Sequence, residues 1–416
     1  MDFVRSLGHP EEIYNLLRFK MGCRAVLSQQ ERDSMSNGLQ TSYKHLDETF
    51  RSFTAIIQAL DGELRDAVCI LFLVVRAVDT VEDDMTISLE TKIPMLRNFH
   101  TYLYQADWRF TESKDKHRQV LEDFPTHKGP NRTFTAQDQI SQEFRKLPAV
   151  YQEVIADTCH KMEMCMAEFL EKRMEFLLDW DRYCHYVSVS VMIGVSRLFS
   201  AAELEDAPVV EDLRLLNSLG MFMQKANIIR DYLEDQQEGR EFWPREVWSK
   251  YSKNLSDLAK PENIVPAVQC LNDLVTNALQ HIPDFLLYLS RLRNQSEFNF
   301  FAVSQLMYFA TLATCYNNPQ VFKRAVKIRK GQMVTLMMDA TNMQAVRAIM
   351  YHYVNEIYQK IPVSDPSAER TQNIVSTIQK MCLSDGPVVS RHRFSPIYLP
   401  CAALLAVLSW QYLSSL

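Results

Sequence analysis

Two copies of the acidic pattern D-x-x-E-D are the residues of this chain best suited to chemistry. They consist of Asp79, Glu82 and Asp83, and of Asp231, Glu234 and Asp235. Positions i, i+3 and i+4 share one face of a helix, so each copy directs three carboxylates the same way. Two such clusters would repel each other unless positive charge lay between them. Oxygen ligands of this kind suit Mg²⁺, which completes its shell with water and phosphate, so the patterns predict a diphosphate site.

The first copy ends a charged stripe within a very apolar segment. At helical spacing this stripe comprises Phe72, Arg76, Asp79, Glu82 and Asp83. Charged side chains in such a segment are costly unless they line a cavity or pair with ions. The alternative interpretation is an amphipathic surface helix, and a single D-x-x-E-D would not exclude it.

The second copy ends a polar stripe, which makes the surface-helix alternative much weaker. Its members at helical spacing are Gly220, Gln224, Asn227, Asp231 and Glu234. The same segment is otherwise rich in Leu, Met, Phe and Ile. A continuous polar stripe on an apolar helix is typical of a wall that contacts a ligand.

Basic residues beside the second copy fit the same interpretation. Lys225 and Arg230 flank the stripe, and we expect them to neutralise phosphate oxygens. The turn after Gly239 could carry Arg240 over the acidic site as a lid. Trp243, shortly after it, is expected to be a core anchor.

A cationic loop and one tyrosine are less specific. Residues 327–331 (KIRKG) precede an apolar helical segment, which would place donors near a helix N-terminus; a solvated basic turn is an equally good interpretation. Tyr183 begins another apolar helix, where a core role is the default for a single tyrosine. Next to a diphosphate it could instead transfer a proton.

Composition favours a helical protein of a reducing compartment. The chain has 416 residues, of which 47% are hydrophobic and only 10 are glycine, so long helices are expected. A net charge of −6 argues against a general nucleic-acid role. The nine cysteines form no C-x-x-C pair, and several lie in apolar helical patterns. No G-x-G-x-x-G motif is present.

The chain divides into one large unit and a terminal segment. Helical periodicity predicts an all-α domain over 1–361, followed by a polar linker over 362–394. Residues 395–416 are apolar and carry Trp410 and Tyr412, which favours a transmembrane anchor over a buried or in-plane helix. The polar segment 127–139 lacks helical period and is expected to be a loop.

These residues resemble the animal squalene synthase family over nearly the whole chain. The most specific matches are residues 57–62 (IQALDG), 79–87, 227–235 (NIIRDYLED), 240–244 (REFWP) and 335–341 (TLMMDAT). The resemblance implies the all-α isoprenoid synthase fold with a central cavity. It also implies a monomer that a C-terminal helix anchors in the endoplasmic reticulum membrane, with the catalytic domain in the cytosol.

The resemblance implies a two-step reaction that uses Mg²⁺ and NADPH. Two farnesyl diphosphates condense to presqualene diphosphate, which is then ionised again and reduced to squalene. Metal-binding positions of the family match Asp79, Glu82, Asp83, Asp231 and Asp235. Positions that contact the diphosphate or the NADPH phosphate match Arg51, Arg76, Arg230, Lys327 and Arg329. Tyr183 matches the residue that handles the proton of the first step, and other active-site positions match Gln224, Asn227 and Arg240.

The departures from the family pattern lie in the apolar pocket. The expected pocket residues are Phe50, Phe72, Val187, Ser188, Val191, Met192, Gln224 and Phe300. Residues 188–192 (SVSVM) replace the family's usual Ala-Gly-Leu-Val-Gly, so Val189 and Met192 stand where glycines are usual. By regular helix geometry Ser190 shares the face of Tyr183, unless a kink intervenes.

The departures leave three functions open. The chain is expected to make squalene. A diverged member could ionise a prenyl diphosphate and make another terpene, or stop at presqualene diphosphate. A catalytically silent, membrane-anchored binding protein is the third alternative. If the pocket has narrowed, Met192→Gly combined with Val189→Gly is expected to raise the squalene yield.

Overall fold

The structure is a computed structural model, and it describes residues 8–21, 27, 29–50, 53–60, 62–106, 139–204, 209 and 212–383. Within these ranges all regular structure is helical, which confirms the all-α prediction. The α-helices are α1 (Pro10–Lys20), α2 (Gln29–Ser34), α3 (Asn37–Phe50), α4 (Thr54–Gln58), α5 (Gly62–Asp83), α6 (Leu89–Leu96), α7 (Phe99–Tyr102), α8 (Gln139–Lys146), α9 (Ala149–Phe169), α10 (Leu177–Cys184), α11 (Ser190–Ala201), α12 (Leu213–Arg230), α13 (Tyr232–Glu238), α14 (Arg245–Trp248), α15 (Ile264–Leu279), α16 (Ile282–Arg291), α17 (Gln295–Cys315), α18 (Lys330–Asp339), α19 (Met343–Gln359) and α20 (Ala368–Leu383).

Short side chains fix where several of these helices begin. The Asp212 carboxylate accepts a hydrogen bond from the Leu215 backbone N–H at 3.2 Å at the start of α12. The Asn294 side chain accepts from the Ser296 N–H at 2.8 Å at the start of α17. Such caps satisfy backbone donors that have no partner within the helix, typically contributing about 1 kcal/mol.

Two long apolar helices form the centre of the fold. Helix α5 is buried through most of its length, with Ala67 to Leu71 fully enclosed. Helix α17 packs against α12, α18 and α19. Among the described residues α17 is also the one helix long and apolar enough to cross a membrane, but 83% of its apolar stretch is buried inside the fold. That degree of burial is typical of a core helix.

A π-helical turn interrupts the segment between α10 and α11. It spans His185–Val189 and will be called the π turn. At its end Val189 packs against Gly220 of α12. A Cβ atom added at Gly220 would lie 2.5 Å from the Val189 Cα, so glycine is required there for the two backbones to come together.

The prediction of a polar linker over residues 362–394 is wrong for its middle part. Helix α20 lies there and packs against α19. It buries Val375 and Ile378 completely, and Thr371 hydrogen-bonds to Thr276 at 2.7 Å. Exposed polar residues dominate the helix and hid this apolar face from the composition argument. Residues 384–416, which include the expected anchor, and residues 127–138 lie outside the described residues.

The close contact of α12 with the π turn predicts the effect of a single methyl group. Gly220→Ala is expected to destabilise the protein by about 1–3 kcal/mol, because the added carbon meets the backbone of Val189 and neither helix can yield locally. Chemical denaturation of the two proteins measures the difference.

Two further variants serve as controls. Gly194→Ala would meet the side chain of Thr158, and no backbone atom is among its nearest neighbours, so its cost is expected to be smaller. Val189→Ala should not rescue Gly220→Ala, since the clash is with backbone N and Cα. Equal stability of Gly220→Ala and the wild type would contradict the backbone contact.

Candidate active site

The first acidic cluster lies on the last two turns of α5. Glu82 is buried, whereas Asp79 and Asp83 are half-buried. Arg76, one turn earlier, forms an ion pair with Asp79. Because most of α5 is buried in the core, these charges stand at the end of a core helix and not on an amphipathic surface helix.

The second acidic cluster is split by a helix break. Helix α12 ends at Arg230, Asp231 caps it, and α13 begins at Tyr232. The predicted continuous stripe therefore stops at Asp231. After the break Asp235 is buried, while Glu234 is exposed. Of the second D-x-x-E-D, the two aspartates are thus the residues placed toward the interior.

Arg240 lies between the two clusters and pairs with both. Helix α13 ends at Gly239, whose φ of 77° is left-handed, and this turn sends the next residue back over the site. The Arg240 guanidinium pairs with Asp83 of the first cluster and with Asp235 of the second, at 2.9 Å from Nη2 to Oδ1. The positive charge expected between the two acidic clusters is therefore supplied by the Arg240 side chain.

Two carboxyls of this set have strongly raised pKa values. Burial and the neighbouring Asp79 raise the pKa of Glu82 to about 8. Burial, followed by the charges of Asp231 and Glu234, raises the pKa of Asp235 to about 8 as well. These raised pKa values show that the charged form of each carboxyl is disfavoured by burial and by its acidic neighbours. A donor set that consists only of carboxylate oxygens fits a hard divalent cation.

Tyr183 is hydrogen-bonded to the first acidic cluster. Its hydroxyl donates to the Glu82 carboxylate, at 3.2 Å from either oxygen. Its ring packs against Phe169 and Phe242, with centroids 5.3 and 5.1 Å away. Burial and the Glu82 charge raise the pKa of Tyr183 well above its ordinary value, so the hydroxyl keeps its proton.

An apolar cavity of about 150 Å³ lies along the same helices. It is lined by Phe50, Phe53, Phe72, Val75, Val187, Ser188, Val191, Met192, Met223 and Tyr308. Six of the expected pocket residues are brought together here. Phe300 is behind the lining instead, fully buried with its ring 6.3 Å from Phe72, and Gln224 is half-buried on α12 outside the lining.

The π turn decides which residues of 187–192 line this cavity. It inserts an extra residue per turn, so Val187, Ser188, Val191 and Met192 face the cavity. Ser190 is buried but does not line it, in contrast to the expectation from regular geometry. Val189 points toward α12. Of the two residues that replace glycines, only Met192 narrows the cavity.

The expectation that Lys225 neutralises phosphate oxygens is wrong. Its side chain is fully enclosed and its ammonium pairs with Asp181 at 2.7 Å. The same ammonium donates to Asn277 at 2.7 Å and lies 5.0 Å from the Trp180 ring centre. Burial and this ammonium lower the pKa of the neighbouring His281 to about 3. Lys225 thus belongs to a separate structural network.

The cationic loop (residues 327–331) precedes a helix, as expected. Its side chains do not pair with the acidic clusters in the part of the chain that the structure describes. Arg329 caps α18 and pairs with Glu12 of α1, at 2.7 Å from Nη2 to Oε1. Lys327 is exposed and forms no ion pair with any residue that the structure describes. Arg51 lies outside the described residues.

Several site residues were missed by the sequence argument. Lys92 is almost completely buried and donates to the Glu82 backbone carbonyl at 2.7 Å, which fixes the end of α5. Tyr308 lines the cavity. Phe53, Val75 and Met223 complete the wall. Val75 could have been found, because it stands on the helical face of Phe72 and Asp79; nothing in the sequence marks Lys92 or Tyr308.

Two acidic clusters beside an apolar cavity in an all-α fold define a protein of the isoprenoid synthase class. The structure of TcSQS in complex with the ligand BPH1237 has this fold, with a TM-score of 0.78 and 35% identity over 84% of this chain and 99% of that one. The family model for squalene/phytoene synthases matches residues 46–332. The squalene synthases of Rattus norvegicus and Homo sapiens are each 62% identical over 417 aligned residues, which cover 100% of this chain and 97% of each relative. The chain belongs to the squalene/phytoene synthase family.

The bridge formed by Arg240 predicts a large loss of stability on its removal. Arg240→Ala is expected to destabilise the protein without divalent cations by about 3–5 kcal/mol, because Asp83 and Asp235 lose their shared partner while partly buried. Denaturant unfolding in the presence of a chelator measures this.

Arg245→Ala is the matched control. Arg245 pairs with Glu175 at 3.3 Å on the surface, and such exposed pairs contribute about 0–1 kcal/mol. If both variants lost the same stability, the bridge between the clusters would have no special role.

Proposed function

We propose that this chain is a squalene synthase that condenses two farnesyl diphosphates to presqualene diphosphate and reduces this product to squalene. The observation that carries the proposal is the joining of both acidic clusters through Arg240, next to Tyr183 and an apolar cavity. The high identity to proteins named squalene synthase over the full chain supports it.

The carboxylates that would hold Mg²⁺ are Asp79, Glu82, Asp83, Asp231 and Asp235. When bound, Mg²⁺ supplies positive charge that favours the departure of diphosphate. The protein contributes further donors to the leaving group. Arg76 and Arg230 each lie beside one cluster, paired with Asp79 and Asp231. The Nε–H of Arg240 is buried and has no hydrogen-bond partner among the described residues, so it remains available to a diphosphate oxygen.

Tyr183 and Glu82 form a pair suited to the proton of the first condensation. The substrate cation must lose one proton when the cyclopropane closes. The Tyr183 oxygen can accept that proton while its own proton passes along the hydrogen bond to Glu82.

The cationic loop supplies groups that fit the phosphates of NADPH. Lys327 is exposed and Arg329 is held in place by Glu12 at the start of α18, so one free ammonium and one oriented guanidinium stand near a helix N-terminus. NADPH supplies the hydride for the second step. Asn227, half-buried on α12, is a further polar group for this role.

The cavity must widen to admit two C15 chains. Its volume of about 150 Å³ is below the roughly 300–1,000 Å³ of ordinary ligand pockets. Met192 has an unbranched, flexible side chain and can move most easily. We propose that the positions of Met192, Phe50 and Phe72 set how much of the second chain the cavity admits.

The remaining parts of the proposal concern location. We propose that residues 395–416 anchor the protein in the endoplasmic reticulum membrane, with the catalytic domain in the cytosol. Basic residues at 391–393 precede the apolar stretch, which supports this orientation. We further propose that the protein acts as a monomer, since both acidic clusters come from one chain.

Product analysis tests the function. Purified protein given farnesyl diphosphate, Mg²⁺ and NADPH is expected to make squalene, and Tyr183→Phe is expected to slow formation of presqualene diphosphate by roughly 10²–10⁴-fold, since proton transfer is lost. Tyr186→Phe, three residues on, is the control and should retain the rate.

The other outcomes separate the alternatives. Release of diphosphate with a different terpene or with presqualene diphosphate as the end product would make this a diverged member. No diphosphate release, with or without Asp79→Ala and Asp231→Ala, would leave a binding protein.

The different positions of Met192 and Val189 predict different effects of their replacement. Met192→Gly is expected to enlarge the cavity and raise the rate of squalene formation up to about tenfold, equivalent to about 1.4 kcal/mol of barrier. Val189→Gly should instead lower stability by about 2–4 kcal/mol without faster turnover, because it empties a contact with α12. Steady-state rates and unfolding of both variants check this; a rate gain from Val189→Gly would contradict the assignment.

A further inference from the structure

Three potential metal ligands lie close together on α7 and α9, outside the two acidic clusters. The ligand atoms of His100, His160 and Glu163 all lie within 4.8 Å of one another. His100 comes from α7, whereas His160 and Glu163 stand at positions i and i+3 on one face of α9. The set therefore joins two helices.

The Glu163 carboxylate is completely enclosed, and its two oxygens have different partners. Oε2 accepts from the His100 backbone N–H at 2.9 Å and from the Cys159 thiol at 3.6 Å. Oε1 faces the Nδ1 atoms of both histidines, with His160 at 3.0 Å. The two hydrogen bonds to Oε2 hold the carboxylate in one orientation, in which Oε1 is directed at two imidazole nitrogens.

A buried carboxylate needs a positive partner, and here no Lys or Arg among the described residues supplies one. The ion pairs that Glu163 forms are with His100 and His160. Either a protonated imidazole or a bound cation must therefore provide the charge.

The geometry points to a site for Zn²⁺ or a similar first-row divalent cation, held by His100 Nδ1, His160 Nδ1 and Glu163 Oε1. Two imidazoles and one carboxylate are a common donor set for Zn²⁺. Neighbouring ligands of a tetrahedral shell with bonds of 2.0–2.1 Å stand about 3.3 Å apart, close to the 3.0 Å between His160 and Glu163. The His160 side chain is 47% exposed, so water can complete the shell. The Cys159 thiol and the His100 N–H act on the far oxygen and orient the ligand.

The site differs in chemistry from the acidic clusters, which offer oxygen only. Nitrogen ligands favour Zn²⁺ or Co²⁺ over Mg²⁺. Bound metal would tie α7 to α9, and α9 packs against both α5 and the π turn. We therefore expect a structural role, with a stability increase that follows metal concentration.

The test uses full-length protein with the acidic clusters saturated by excess Mg²⁺. Wild type is expected to bind one additional Zn²⁺ in equilibrium dialysis, and Co²⁺ should give the intense visible absorption of a tetrahedral site. His160→Gln, at an exposed position that should not disturb folding, is expected to lose at least about tenfold in Zn²⁺ affinity. His352→Gln, an exposed histidine on α19, is the control.

Thermal unfolding adds a second readout. Zn²⁺ should raise the unfolding midpoint of the wild type and of His352→Gln, but not of His160→Gln or Glu163→Gln. Equal Zn²⁺ binding by the wild type and His160→Gln, or no binding beyond that of the acidic clusters, would overturn the site and leave a carboxylate paired with imidazolium.

Discussion

The cost of holding two clusters of carboxylates close together and partly out of water is the constraint on which the rest of this structure depends. Burial, followed by the neighbouring carboxylates of its own cluster, raises the pKa of Glu82 and of Asp235 to about 8. Arg240 offsets part of this cost by pairing with both clusters. The carboxylates of both clusters are a set of oxygen ligands of the kind that a hard divalent cation prefers.

Holding such a site together requires rigid helices around it. Helix α5 brings Asp79, Glu82 and Asp83 out of a densely packed core, and Lys92 fixes its last turn by hydrogen-bonding to the Glu82 carbonyl. On the other side, the break at Asp231 turns α13 so that Asp235 faces inward. Without that break the second cluster would continue the α12 stripe, and Arg240 would have no short path back to Asp83.

The fold class and the two clusters could be predicted from helical periodicity, and most of the cavity wall from the family resemblance. The long helices expected from composition are present, as α5 and α17 show. Two of the wrong predictions depend instead on contacts between residues that are distant in the sequence. Lys225 lies beside the ligand stripe in sequence, but its partners Asp181 and Asn277 come from distant helices. The π turn depends on the approach of Gly220 to Val189, a tertiary contact that no local pattern records. Helix α20 was missed because its apolar face is narrow.

The acidic clusters and the apolar cavity cannot vary independently, because the same helices carry the residues of both. Helix α5 places Phe72 and Val75 in the cavity wall one turn before Arg76 and Asp79. The segment from α10 through the π turn carries Tyr183 and then Val187 to Met192. Helix α12 is held against that turn at Gly220 and ends at Asp231. A substitution that moves Val189 therefore shifts α12 and changes the position of Asp231 in the second acidic cluster, whereas a substitution of Met192 can change the cavity alone. Selection for a different product would accordingly act on the cavity side chains that leave the helix contacts intact.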